Sequence, residues 1–185
     1  EAVLNIINAR VLIGAFIGSA LPYLFSSLLI DAVAASAGDM VLEVRRQFKE
    51  HPGILTRDEK PDYTRCITIS AAGALREMKM PVVIAVVIPV VSGFLLGPQF
   101  VGGILIGSTL SAVMLALFTA NSGGAWDNAK KYIESGGVEG AEKGSEAHSS
   151  AVVGDTVGDP LKDTVGPSLD ILIKIMATIS LIAVS

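Results

Sequence analysis

The sequence predicts an all-α, polytopic transmembrane helix bundle with four membrane helices. Three observations predict it. The 185 residues are 51% apolar and 17% charged, with a mean hydropathy of +0.59, whereas an ordinary soluble domain carries about 25% charged residues. No charged residue lies between Arg10 and Asp31. None lies between Lys79 and Asp127 either, a gap more than twice the ~20 residues that cross a bilayer once.

The first span is expected over 11–48. Its apolar part, VLIGAFIGSALPYLFSSLLI, contains Pro22, which should kink it, as membrane helices tolerate. Gly14 and Gly18 form a small-xxx-small pair that lets another helix come close. Past Asp31 the helix should run beyond the membrane, with Asp31, Asp39 and Glu43 on one face. A charged connection over 49–77 comes next, with turn signals at Pro52-Gly53 and Lys60-Pro61. The second span, 78–97, ends at Gly97-Pro98. The third is expected over 100–134, and Gly103, Gly107 and Ser111 at i, i+4 and i+8 give it a packing seam. A glycine-rich polar loop over 135–151 leads to the fourth, 152–185. The whole, 1–185, reads as a single membrane domain. It opens on Glu1, without the pattern of a signal peptide, and is expected to be a piece of something longer.

Basic residues orient the bundle. Arg45, Arg46, Lys49, Arg57, Lys60, Arg65, Arg76 and Lys79 lie between spans one and two, and Lys130, Lys131 and Lys143 between three and four. The Gly97-Pro98 hairpin carries none. The positive-inside rule then places loops 49–77 and 135–151 in the cytoplasm, which suits a free Cys66. A lone cysteine excludes an intrachain disulfide scaffold and a thiolate zinc cluster. A net charge of −4 and 5% aromatic residues leave no nucleic-acid footprint. P-loop, dinucleotide and nucleophilic-serine motifs are missing. His51 and His148 lack partners at metal-ligand spacing and should be solvated.

Chemistry concentrates in three places. In GDTVGDPLKD, Asp155, Asp159 and Asp163 recur every fourth residue, and on a regular helix all three share a face with Lys162 close by. Such carboxylates repel one another unless cations neutralise them, and carboxylate oxygen with phosphate is what Mg²⁺ prefers. A solvated acidic face is the plainer alternative. Pro160 weakens the single-face argument, because a helix is expected to start or kink there. In SGGAWDNAKK, Asp127 precedes Lys130 and Lys131 by three and four residues. This is either a tryptophan anchor with a surface ion pair, or a further carboxylate with two phosphate-capable cations. Deeper in the last span, Lys174 comes four residues after Asp170 and can pair with it. Charges within an apolar span mark an ion path or, more plainly, a pair that fixes helix register.

GGAWDNAKKYIE and VVGDTVGDPLKDTVGPSLDILIK, with the upstream LPYLFSS, EVRRQF and RCITISAAGALREM, resemble the C-terminal quarter of the membrane-bound, ion-pumping inorganic pyrophosphatases. The resemblance implies four of sixteen membrane helices per subunit and a homodimer, the third and fourth spans belonging to an inner ring. It implies hydrolysis of Mg-pyrophosphate to two phosphates, coupled to transport of protons or Na⁺ out of the cytoplasm, with K⁺ a candidate activator. By the same resemblance Asp127, Asp155, Asp159 and Asp163 bind Mg²⁺, Asp163 also holds the attacking water, and Lys130 and Lys162 contact pyrophosphate. Lys174, with Asp170 beside it, matches the ion gate, although Asp170 stands where family members usually carry Asn. The expected setting is a plasma membrane in a prokaryote, or a vacuolar or acidic-organelle membrane in a eukaryote. The rest of the chain, upstream of Glu1, is expected to complete the site, so this piece alone is expected to be inactive. The competing reading is a secondary transporter or channel fragment with a midplane Asp170–Lys174 site.

Overall fold

The computed structural model describes residues 4–184, and all of their regular structure is helical. The helices are α1 (Ala9–Glu50), α2 (Gly53–Thr56), α3 (Tyr63–Glu77), α4 (Lys79–Leu96), α5 (Pro98–Glu134), α6 (Glu146–Asp159) and α7 (Gly166–Val184). A π-helical segment, Pro160–Val165, joins α6 to α7. Four rods are long and apolar enough to cross a membrane: Ala9–Glu50, Tyr63–Leu96, Pro98–Glu134 and Glu146–Ile182. The fold class read from the sequence therefore holds.

Residues 63–77, expected within a connecting loop, are helical. The Asp62 carboxylate accepts a hydrogen bond from the Arg65 backbone N–H at 2.9 Å, which caps the first turn of α3. Pro61 sits just outside that turn, where its missing N–H removes nothing the helix needs.

Contacts divide the chain into two compact units, one of residues up to Ser27 with Ile84 onward, the other of Leu28–Val83. In the second unit the later half of α1 pairs with α3. Gln47, 3% exposed, accepts from the Asp62 N–H at 2.9 Å and donates to Glu43 Oε1 at 2.9 Å and to the Asp62 carbonyl at 3.2 Å. Glu43, also buried, takes Arg46 Nη2 at 2.7 Å. Arg76 Nη2 reaches Asp39 at 3.1 Å.

In the first unit α1 passes through Pro22 without interruption. It lies against α5 along a seam of small residues. A Cβ on Gly14 or Gly18 would run into the backbone of Phe100 or Ile104, and one on Gly103 or Gly107 would run into Val11 or Ala15. Each helix is thus grooved where the other is widest, and Ser111 Oγ donates to the Ser19 carbonyl at 2.8 Å. The two glycine patterns marked in the sequence are the two sides of one contact. The polypeptide turns back at Gly97 and then returns along α5 as α6 and α7. Leu169, Leu172, Met176 and Ser180 are buried at steps of three, four and four, one helical stripe.

His148 departs from its expected solvation. Its side chain is 13% exposed, with Nε2 3.0 Å from Glu134 Oε1. The Gly144 N–H donates to Nδ1 at 3.2 Å, so the neutral ring carries its proton on Nε2. His51 is exposed, 3.3 Å from Glu59.

Candidate functional site

The site begins with two residues that have no side chain. Where α5 crosses the end of α6, a Cβ on Gly123 would stand 2.5 Å from the Gly158 carbonyl and 2.8 Å from Lys162 Cβ. A Cβ on Gly158 would stand 3.0 Å from Gly123 Cα and 3.1 Å from the Trp126 ring. The backbones therefore meet with nothing between them. One turn beyond Gly123 along α5 comes Asp127. One turn to either side of Gly158 come Asp155 and Lys162. The crossing brings these charges together.

Lys162 Nζ lies 2.8 Å from Asp127 Oδ2, 2.8 Å from Asp159 Oδ1 and 4.0 Å from Asp155 Oδ1. Lys130 Nζ is paired with Asp155 Oδ2 and stands 3.9 Å from Asp127 Oδ1. Lys131 Nζ donates to Asp127 Oδ2 at 2.8 Å. Three carboxylates and three ammonium groups form one network between α5 and the α6–π segment. Its centre is covered and its edge open: the Asp155 side chain is 8% exposed and that of Asp159 51%.

Asp163 stands apart. It is exposed and makes no hydrogen bond or ion pair with any described residue. The physical reason is the turn that carries it. Pro160 opens the π-helical segment directly where α6 ends, without a break in the helical backbone. Asp159 keeps helical dihedrals of φ −57 and ψ −51, and the Gly166 N–H reaches back five residues to the Leu161 carbonyl. This wider turn changes the angular step on which a shared face for Asp155, Asp159 and Asp163 depends. Asp170 and Lys174 pair at 2.6 Å, one turn apart on α7, with side chains 65% and 71% exposed.

Asp127, Asp155, Asp159, Lys130 and Lys162 are thus brought together, whereas Asp163 and the Asp170–Lys174 pair are not joined to them. Gly123 escaped the sequence reading. Its signal was the GG before Trp126 together with the paired glycines Gly154 and Gly158. Trp126, readable as a membrane anchor, lies against that glycine face.

The donor set suits a divalent ion that brings ligands of its own. Among the described residues no three His, Cys, Asp or Glu side chains form a cage for one; lysines stand between the acids. Asp155 Oδ1 is nevertheless a buried carboxylate oxygen without a hydrogen-bond donor. Mg²⁺ usually takes one or two carboxylates and completes its shell with water and substrate phosphates. Asp127 and Asp155 fit that role, with Asp159 at the open edge.

The profile of the inorganic H⁺ pyrophosphatase family matches residues 1–183. The chain belongs to that family. It is 61% identical over 98% of its length to a K⁺-stimulated pyrophosphate-energized sodium pump of Thermotoga maritima, covering 25% of that protein. It is 52% identical over 97% of its length to a K⁺-insensitive pyrophosphate-energized proton pump of Pyrobaculum aerophilum, covering 24%. It is 48% identical over 94% of its length to a pyrophosphate-energized membrane proton pump of Arabidopsis thaliana, covering 23%. The chain spans about a quarter of the length of these relatives. Membership of the inorganic H⁺ pyrophosphatase family does not favour the secondary-transporter alternative.

Proposed function

We propose that this chain supplies part of the hydrolytic site and the ion gate of a pyrophosphate-energised pump, which hydrolyses Mg-pyrophosphate to two phosphates and moves H⁺ or Na⁺ across the membrane. The observation that carries the proposal is the meeting of Asp127, Asp155 and Asp159 with Lys130 and Lys162 across the Gly123–Gly158 crossing. Phosphoryl transfer to water asks for positioning and charge neutralisation more than for covalent help. Lys130 and Lys162 are part-covered ammonium groups that can turn from carboxylate to phosphate oxygen. Asp127, Asp155, Asp159 and Asp163 are the proposed magnesium ligands, and the metal would neutralise phosphate charge when bound. Asp163, free of any cation among the described residues, is the proposed base that orients the attacking water. Lys174, with Asp170, is the proposed gate.

In this reading the site faces the cytoplasm, the subunit is half of a homodimer, and K⁺ acts as an activator as it does in the relatives named for K⁺ stimulation. The test is thermal melting of the full-length protein with Mg²⁺ and a non-hydrolysable pyrophosphate analogue. Stabilisation that needs both is expected, and it grows with the logarithm of analogue concentration. No stabilisation, or stabilisation by the analogue without Mg²⁺, removes the proposal.

A further inference from the structure

A second site lies at the other end of the first unit, where the charge-free stretches of α1 and α5 begin. A cavity of about 610 Å³ opens there between the first turn of α1, the end of α4 and the Gly97 turn. Its walls include Ile13, Phe94, Leu96 and Phe100, and its one charged lining residue is Arg10. The size is that of a small-molecule site, and the walls are apolar.

Arg10 makes no side-chain hydrogen bond or ion pair with any described residue. Nor do the described residues provide a nearby acid. The next carboxylate along α1 is Asp31, about 30 Å away at helical rise. On α4 and α5 there is none between Lys79 and Asp127. The guanidinium is a planar fork suited to two oxygens of a phosphate. It stands one residue before the apolar run that starts at Val11, and the end of an apolar span is where a membrane helix meets the headgroup region. The walls are held in place: Asn8 Nδ2 donates to Gln99 Oε1 at 3.3 Å, joining the start of α1 to the start of α5.

We propose that this cavity holds one anionic phospholipid, its phosphate on Arg10 and an acyl chain along Phe94, Leu96 and Ile13. Phe94 is 84% exposed and forms the outer wall. A cation unpaired among the described residues, beside an apolar groove at the start of a charge-free span, matches a molecule that carries a phosphate and a hydrocarbon chain together.

The experiment uses the full-length protein, delipidated in detergent, with phosphatidylglycerol, a diacylglycerol of the same chains, and inorganic phosphate as probes. Melting temperature and lipid retention by native mass spectrometry are the readouts. Phosphatidylglycerol should stabilise the protein and remain bound, while the other two probes do neither to the same degree. Arg10→Gln should weaken phosphatidylglycerol binding about tenfold, the weight of one charge-assisted contact. Arg10→Lys should weaken it less, and Phe94→Ser should weaken it through the chain. Unchanged retention in Arg10→Gln overturns the site. Equal stabilisation by diacylglycerol reduces it to an apolar groove, and equal stabilisation by phosphate to an anion contact; either overturns the proposal. The probe comparison on the unmutated protein stands if Arg10→Gln fails to fold.

Discussion

The Lys162 ammonium lies 2.8 Å from Asp127 Oδ2, although 35 residues separate the two in sequence. The contact depends on a backbone crossing that no side chain interrupts.

Gly123→Ala should therefore act at a distance. The added methyl would meet the Gly158 carbonyl and push α5 from α6. A loss of about 1–3 kcal/mol is the usual cost of such overpacking, and hydrolysis should fall as Asp127 and Lys162 part. Gly124→Ala is the control, since nothing stands within 4 Å of a Cβ there, and helical propensity should make it slightly stabilising. Melting curves and turnover of the two variants check the contrast; equal behaviour removes the crossing from its positioning role.

Lys162→Met should lower kcat by about 10²–10³-fold, the range for removing one electrostatic donor from a transition state. Asp127→Asn should be non-additive with it, because the two share a contact. Steady-state kinetics of the single and double variants decide; strictly multiplicative losses count against a shared site.

Asp163→Asn should lower turnover by about 10²–10⁴-fold, the range for general-base catalysis, while Mg-pyrophosphate binding survives in part. Calorimetric binding beside hydrolysis rates separates the two. Turnover near the parental rate takes the water-orienting role away from Asp163.

Lys174→Ala should impair transport more than hydrolysis, because its pair lies along α7 and outside the acid–lysine network. Reconstituted vesicles give ions moved per pyrophosphate consumed. An unchanged ratio counts against a gate.

Gln47→Leu should lower stability without touching substrate affinity. It removes the hydrogen bonds to Asp62 and Glu43, at about 1–3 kcal/mol for buried polar groups left unpaired. A fall in melting temperature with constant KM is the expected result.

Much of this was legible in the residues. The two charge-free stretches announced the first three rods, and the glycine spacings marked α1 and α5 as close-packing surfaces, because bulk and charge are local properties. Asp155, Asp159 and Lys162 could be grouped by helical spacing alone. The same spacing grouped Asp163 with them, and the structure sets it apart, since the turn after Pro160 has a period that no repeat in the sequence records. The capped helix α3 was hidden by what precedes it: the charged, Pro- and Gly-bearing stretch HPGILTRDEKPD reads as a loop, and nothing in it marks the helix start until the Asp62 carboxylate is seen on the Arg65 N–H. The Gly123–Gly158 crossing joins distant segments, and one chain carries no mark of which glycine faces which.

The outward flank of α7 has a further consequence. Leu169, Leu172 and Met176 are sunk against neighbouring helices, while Asp170 and Lys174 look away from them. Hydrocarbon is a hostile neighbour for such a pair. On the proposed function, that side of the rod borders water or the polar groups of neighbouring helices, and α7 is one wall of a hydrophilic corridor and not a post standing in fat.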